Sequence, residues 1–285
     1  MAAVLRVLKL FLWVIPVLLL AVAVGLVLWF KRDVHGKDKR LGSEIKELRT
    51  AKVEEYDFGL EKFDAAVAKL RAGEDEEGRE ALMAMLRYHK DSARARDAMR
   101  LLGQINLDRL LDPDVPWPGK KKVEIPRGGA LNKIAADNQT TWHYITRASG
   151  LSRPQAMQPN DQVWVCPLNF RAIIDVGAKT IVIMDGDYFF ALFPVREIRR
   201  PPGAKIPATV AVGQKFGVLD GKRVVLTDEG TTRAEKWIEI GRDWAIRSVP
   251  DAATPGQGFG VFVSEADAAD LLLLLRSGNS VELKP

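Results

Sequence analysis

The sequence holds one cysteine in 285 residues, Cys166, which excludes an intramolecular disulfide framework and any zinc cluster built on cysteines. Its three histidines, His35, His89 and His143, lie far apart without metal-ligand spacing, so neither a metal nor a cofactor is expected. Charge of a single sign is also missing. The 42 basic residues interleave with 37 acidic ones, and a net charge of +5 so distributed does not indicate nucleic-acid binding, although weak attraction to an anionic lipid or polymer fits. What is present is a hydrophobic content of 47%, which rules out a disordered chain, and a length that leaves room for two or three domains.

Long apolar runs are absent except for residues 10–30, which contain no charged side chain. At about 1.5 Å per residue this run matches a hydrocarbon core of roughly 30 Å, so it is expected to span a bilayer. Trp13 and Trp29 lie near its two ends, where interfacial aromatics belong, with Arg6 and Lys9 before it and Lys31 and Arg32 after. Ala21-Val22-Ala23 offers a signal-peptidase site, but the apolar run continues past it to Phe30, which favours an uncleaved anchor.

Residues 43–112 carry a helical period. Tyr56, Leu60, Phe63, Val67 and Leu70 form one stripe ended by Gly73. Leu82, Met85 and Leu86 form a second, and Ala98, Leu101, Leu102 and Ile105 a third, after the capping pair Asp91-Ser92. The pair of helices across Gly73-Glu74-Asp75 resembles a degenerate tetratricopeptide hairpin, which implies either a surface for a partner protein or a helical spacer. Pro113, Pro116, Pro118 and Gly119 then stop the helical pattern, and Lys120-Lys121-Lys122 follows as a solvated charge run.

The segment from 123 to 166 is the one whose small residues and spacing converge on binding. Val123-Glu124-Ile125 reads as a strand running into the turn Pro126-Arg127-Gly128-Gly129. Leu131, Ile134 and Ala135 then have helical spacing, and Asn138-Gln139-Thr140-Thr141 can cap a second helix that carries Trp142 and Ile145. After Gly150 and Pro159-Asn160-Asp161, residues 162–165 form a closing strand. This order resembles the LysM domain, which binds N-acetylglucosamine glycans such as peptidoglycan. Gly128-Gly129-Ala130-Leu131 stands where that family carries Gly-Asp-Thr-Leu, and Ser149 stands where it carries Asn. The resemblance implies a sugar site at Gly128, Gly129, Ala130 and Leu131 on the first turn and at Met157 and Gln158 before the last strand. Turns of small residues let an N-acetyl sugar approach backbone N–H and C=O groups. A Gly-Gly pair alone needs only a tight turn.

After Pro167 the period falls to two. Residues 171–176, 180–184 and 188–193 read as strands, as do 215–219, 223–227, 237–240 and 244–249. Ser264-Glu265-Ala266-Asp267 opens a capped helix, and residues 280–283 form a final strand. The order resembles the L,D-transpeptidase catalytic domain, which cross-links peptidoglycan stem peptides through an acyl-cysteine. The family's Ser-His-Gly-Cys-Ile-Arg motif corresponds to Gln257-Gly258-Phe259-Gly260-Val261-Phe262. Gly260 therefore stands for the nucleophile, Gly258 for its neighbouring histidine, Phe262 for the motif arginine, and Arg247 for the upstream histidine. Acyl transfer needs a thiolate and a base, and glycine supplies neither, so no catalytic residue is expected. Cys166, at the end of the LysM-like strand, is expected to be a buried, inert thiol.

The sequence thus predicts a multidomain α+β chain: an anchor and basic flank (1–40), a helical hairpin (41–112), a proline-rich linker (113–121), a LysM-like domain (122–168) and a mostly β, L,D-transpeptidase-like domain (169–285). The expected function is non-catalytic peptidoglycan binding at a bacterial membrane. The alternatives are a divergent L,D-transpeptidase and a helical adaptor that recruits a protein. Lys31, Arg32, Lys37, Lys39 and Arg40 by themselves would keep the following chain in the cytoplasm. The glycan reading requires the opposite, and the bulk of the chain is expected outside.

Overall fold

Asp57 starts the described architecture by capping: its carboxylate accepts from the Gly59 N–H at 2.9 Å, opening helix α1 (Phe58–Arg71). The same carboxylate accepts from the Ser92 hydroxyl (2.8 Å) and the Ala93 N–H (2.9 Å). These bonds, that from Ala93 foremost, hold its pKa below the usual carboxylate value. Ser92 was expected to cap the third helix, but its hydroxyl is turned towards Asp57, and that helix, α3 (Ala95–Leu111), begins three residues later. Between them Gly73, at φ +80°, ends α1 ahead of α2 (Asp75–Tyr88). Gly78 lets α2 approach closely, since a Cβ there would meet Leu70 Cδ2 at 2.5 Å.

The computed structural model describes residues 56–151, 158–226, 233–249 and 258–285. The expected membrane span at 10–30 and its flanks lie outside these residues, as does Met157. Among the described residues no helix is long and apolar enough to cross a membrane.

The next elements are β1 (Lys121–Glu124), α4 (Leu131–Asp137), α5 (Trp142–Ala148) and β2 (Gln162–Val165). β1 and β2 pair antiparallel, with Val123 opposite Val163. Thr141 caps α5 by accepting from the Tyr144 N–H (3.0 Å), as the run of short polar residues suggests.

A ten-stranded sheet follows, built from β3 (Phe170–Asp175), β4 (Thr180–Asp185), β5 (Tyr188–Pro194), β6 (Glu197–Arg199), β7 (Ala208–Leu219), β8 (Lys222–Val224), β9 (Glu235–Ile240), β10 (Trp244–Val249), β11 (Gly260–Ser264) and β12 (Ser280–Lys284). The strand order is β5-β4-β3-β12-β7-β9-β10-β11-β6, with β8 on β7. The β12–β3 and β10–β11 pairs are parallel and the others antiparallel. Two stretches exceed the expected strands. β7 starts at Ala208 rather than Lys215 and changes partner from β12 to β9 across an irregularity between Val212 and Lys215. β6, charged at both ends, forms an edge beside β11. Helix α6 (Glu265–Leu274) opens on Ser264, whose hydroxyl accepts from the Asp267 N–H at 3.0 Å, and it buries Leu271 to Leu274.

The segments expected as separate domains share one large core, beside a smaller one within the helical hairpin that holds Phe63, Leu82, Met85 and Leu102. Leu107 and Leu110 of α3, Tyr144 and Ile145 of α5, Val163 and Val165 of β2, and the sheet residues Ile174, Ile183 and Val281 belong to a single buried cluster. Asp57–Pro285 is correspondingly one compact unit. Polar contacts reinforce it. Asn106 is buried and donates to the Phe190 carbonyl at 2.9 Å, and Gly103 brings α3 so close that a Cβ would lie 2.9 Å from Ala191 Cα. Tyr144 Oη donates to the Leu110 carbonyl (3.2 Å), and Thr141 Oγ1 donates to that of Leu273 (2.7 Å).

The proline-rich stretch is docked rather than slack. Trp117 stands edge-on to Phe190 with ring centroids 5.7 Å apart. Lys120 was expected in a solvated charge run, yet its ammonium caps the end of α3 by donating to the carbonyls of Asp112 (2.6 Å) and Val115 (3.0 Å).

Candidate functional site

Two places carry the residues singled out by sequence. At one end of the β1–β2 ribbon the two turns are tied together. Ile125 donates to the Asp161 carbonyl (2.9 Å) and accepts from the Asn160 N–H (2.8 Å). The first turn closes with the Gly129 N–H on the Pro126 carbonyl (2.8 Å), and Gly128 takes φ +71°, which a side chain would strain. Gly128 and Ala130 are exposed, Gly129 and Leu131 half-buried, and Gln158 on the facing turn is exposed. The Asp161 carboxylate accepts from the Gln158 N–H at 2.8 Å and so shapes that second turn. The structure therefore brings Gly128, Gly129, Ala130 and Leu131 to the same end of the ribbon as Gln158. Ser149 accepts from the Trp164 N–H (2.9 Å), linking the end of α5 to β2.

The second place is the groove over β9, β10 and the start of β11. Arg247 is 3% exposed although it carries a full charge. Its guanidinium is held as a fork by Glu235, with Nε to Oε1 at 2.8 Å and Nη2 to Oε2 at 3.2 Å. It also lies 4.1 Å from the Trp237 ring centroid and 4.8 Å from that of Phe262. This side chain fills the space in front of the two glycines. A Cβ at Gly258 would stand 2.9 Å from Arg247 Nη1, and one at Gly260 would stand 3.1 Å from Arg247 Cδ and 2.7 Å from the Ala245 carbonyl oxygen. Both glycines also have positive φ, +106° and +143°. Ser248 lies next to Arg247 but is buried, and its hydroxyl accepts from the Lys236 N–H at 2.7 Å.

Sequence reasoning missed Glu235 and Trp237. They stand two apart on β9 and so share a face, and Trp237 is the register partner of Arg247. An acid and an aromatic with period two, beside a strand carrying an arginine, is the signal that could have found them.

Cys166 stands apart from this groove, fully buried in the core against the Pro118 and Pro167 carbonyls (Sγ to oxygen 3.7 and 3.8 Å). Burial, more than any charge, pushes its thiol up to about 11, so thiolate is scarce at neutral pH. Among the described residues no group of three or more His, Cys, Asp or Glu side chains is placed to hold a metal ion.

No family model matches the chain, and no curated protein does. Among solved structures it is similar to an L,D-transpeptidase from Mycobacterium smegmatis, with 13% identity and a TM-score of 0.31 over 44% of this chain and 64% of that one. An L,D-transpeptidase from Stackebrandtia nassauensis gives 15% identity and 0.31, over 41% of this chain and 56% of that one. L,D-transpeptidase 1 of Mycobacterium tuberculosis gives 12% and 0.31, over 45% and 68%. The chain thus spans less than two thirds of the first two of these proteins and 68% of the third.

Proposed function

We propose that this protein binds the glycan of peptidoglycan through its β1-α4-α5-β2 unit, and that its β module is an L,D-transpeptidase-like frame without acyl-transfer chemistry. It is a wall tether or scaffold, anchored by the apolar run at residues 10–30 with the bulk of the chain outside the membrane. The helical hairpin is left to a partner protein. The observation that carries the binding half is the meeting of two small-residue turns, with Gly128 to Leu131 on one and Gln158 on the other, at the exposed end of the ribbon.

The non-catalytic half is supported by Arg247, whose guanidinium takes the room where a cysteine at 260 and a histidine at 258 would have to sit. A thioester needs an attacking sulfur, a base and space for a tetrahedral carbon, and the groove offers a salt bridge between two aromatic rings instead.

Co-sedimentation of residues 57–285 with purified sacculi tests the reading. The fragment is expected in the pellet, and Ala130→Trp, which crowds the exposed turn without touching the core, is expected in the supernatant. If the unmodified fragment stays in solution, the glycan reading fails. Formation of cross-links from tetrapeptide donors would replace the scaffold with an enzyme.

A further inference from the structure

On the face of the sheet opposite Arg247, Lys215 of β7 lines a cavity. Lys236 and Trp237 are neighbours on β9, so their side chains leave the sheet on opposite sides, and Lys215, opposite Ile238 on β7, lies on the Lys236 side. There the sheet meets α4, α5 and the turn after α6 across a cleft of about 560 Å³, a volume in the range of small-molecule sites. No carboxylate lines this cleft among the described residues.

Its polar groups are unpartnered in an unusual concentration. Thr140 Oγ1, both ring nitrogens of His143 and Arg276 Nε are shielded from solvent, and none has a hydrogen-bond partner. Buried polar atoms are normally satisfied, so four in one wall point to an absent partner. Lys215 adds a cation when it holds its proton. Its ammonium donates to the Leu272 carbonyl at 2.8 Å and has further protons to give. Trp142, stacked on His143 with centroids 3.5 Å apart, and Val225 supply apolar wall.

We infer that this cleft is a binding site for a small organic carboxylate, whose charge pairs with Lys215 and whose oxygens accept from Thr140, His143 and Arg276. A single negative charge suits it better than a phosphate dianion. The Arg276 terminal nitrogens are already engaged with neutral acceptors, Asn169 Oδ1 at 2.8 Å and the Ser277 carbonyl at 3.5 Å, which leaves Arg276 Nε and the Lys215 ammonium as the cationic donors for the ligand. The apolar wall calls for a ligand with an acyl or alkyl body. Burial and the neighbouring Lys215 and Lys236 charges keep His143 neutral, so it presents one N–H donor and one acceptor to the bound molecule. The inference does not depend on glycan binding, which uses Gly128 to Leu131 and Gln158, none of which lines this cleft.

N-acetylalanine and its amide, titrated into the full chain in detergent solution, test it. The imidazole resonances are few, because the chain has three histidines. The carboxylate is expected to shift those of His143 saturably at millimolar concentration and to raise the His143 pKa, while the amide shifts nothing. Lys215→Met is expected to weaken the carboxylate roughly ten- to hundredfold, the worth of one charge-assisted hydrogen bond. Equal shifts from acid and amide, no shift from either, or full affinity in the Lys215→Met chain would each overturn the assignment. The acid and amide comparison on the unmodified protein stands even if the variant does not fold.

Discussion

Truncating Arg247 tests what holds the groove together. Its side chain is 4% exposed and that of Glu235 26%, so Arg247→Ala leaves a carboxylate largely buried without its counter-ion. Breaking a buried pair costs about 3–5 kcal/mol, and the residual exposure of Glu235 places this one near the low end, at about 3 kcal/mol. The guanidinium also loses its place over the Trp237 and Phe262 rings, about 1 kcal/mol that overlaps with the ion-pair loss rather than adding to it. At about 2–4 °C per kcal/mol for a unit of this size, the melting temperature should fall by roughly 6–12 °C. The companion Arg247→Met/Glu235→Met chain removes both charges and keeps apolar bulk between the rings, so it should melt within about 1 kcal/mol of the parent. Calorimetry on Arg247→Ala and on the four chains of the methionine cycle, the parent, Arg247→Met, Glu235→Met and the double variant, reads this directly. If Arg247→Ala melts with the parent, or if the double variant loses as much as the two singles summed, the groove is not sealed by this pair.

Gly260→Cys should not create an acylatable thiol. The new Cβ meets the Ala245 carbonyl and requires φ +143°, a strain of about 1–3 kcal/mol, so a lower melting temperature with no acylation by a β-lactam is expected, and acyl-enzyme in the mass spectrum would refute this. Ala130→Thr should stabilise the protein by about 1 kcal/mol, because α4 begins at Ala130 without a side-chain cap, and an unchanged denaturation midpoint would contradict it. Cys166 should react with an aromatic disulfide reagent only after unfolding, since its thiol is buried and raised to about 11, and stoichiometric labelling of the native chain within minutes would be the contrary result. Lys215 gives up its proton near 7 in the folded chain because of burial, and near its ordinary 10.5 when unfolded. The unfolded state therefore binds more protons between these values, and stability should rise with pH across that window. Lys215→Met should flatten the rise, and a slope unchanged by the substitution would remove Lys215 as its source.

Much of the architecture was legible because it is punctuated locally. Gly73, Thr141 and Ser264 mark helix ends by backbone conformation or capping, and β3 to β5 announce themselves by period two. What was hidden depends on distance. The proline run 113–118 reads as a loop in any window, and only the Trp117–Phe190 contact and the Lys120 carbonyl bonds show that it is fastened down. Asp57 serves a loop 35 residues away, and its neighbours give no hint of this. Around Arg247, positions 247, 258 and 260 could be singled out from the chain, but what fills the space between them could not. Glu235 reaches Arg247 across a strand pair 12 residues apart, and a lone arginine on a buried strand does not say where its counter-charge lies.

The fusion of the β1-α4-α5-β2 unit to the sheet has a mechanical corollary. Four residues separate the end of β2 from the start of β3, and Asn279 and Gln139 grip Leu168 between them by Nδ2 to the Leu168 carbonyl (3.1 Å) and the Leu168 N–H to the Gln139 carbonyl (2.8 Å). A pull applied at the two turns cannot be absorbed by a swinging tether. It enters the sheet through β3, flanked by the parallel β12 and the antiparallel β4. Backbone hydrogen bonds run along both sides of that strand, so β3 cannot leave the sheet without breaking two ladders.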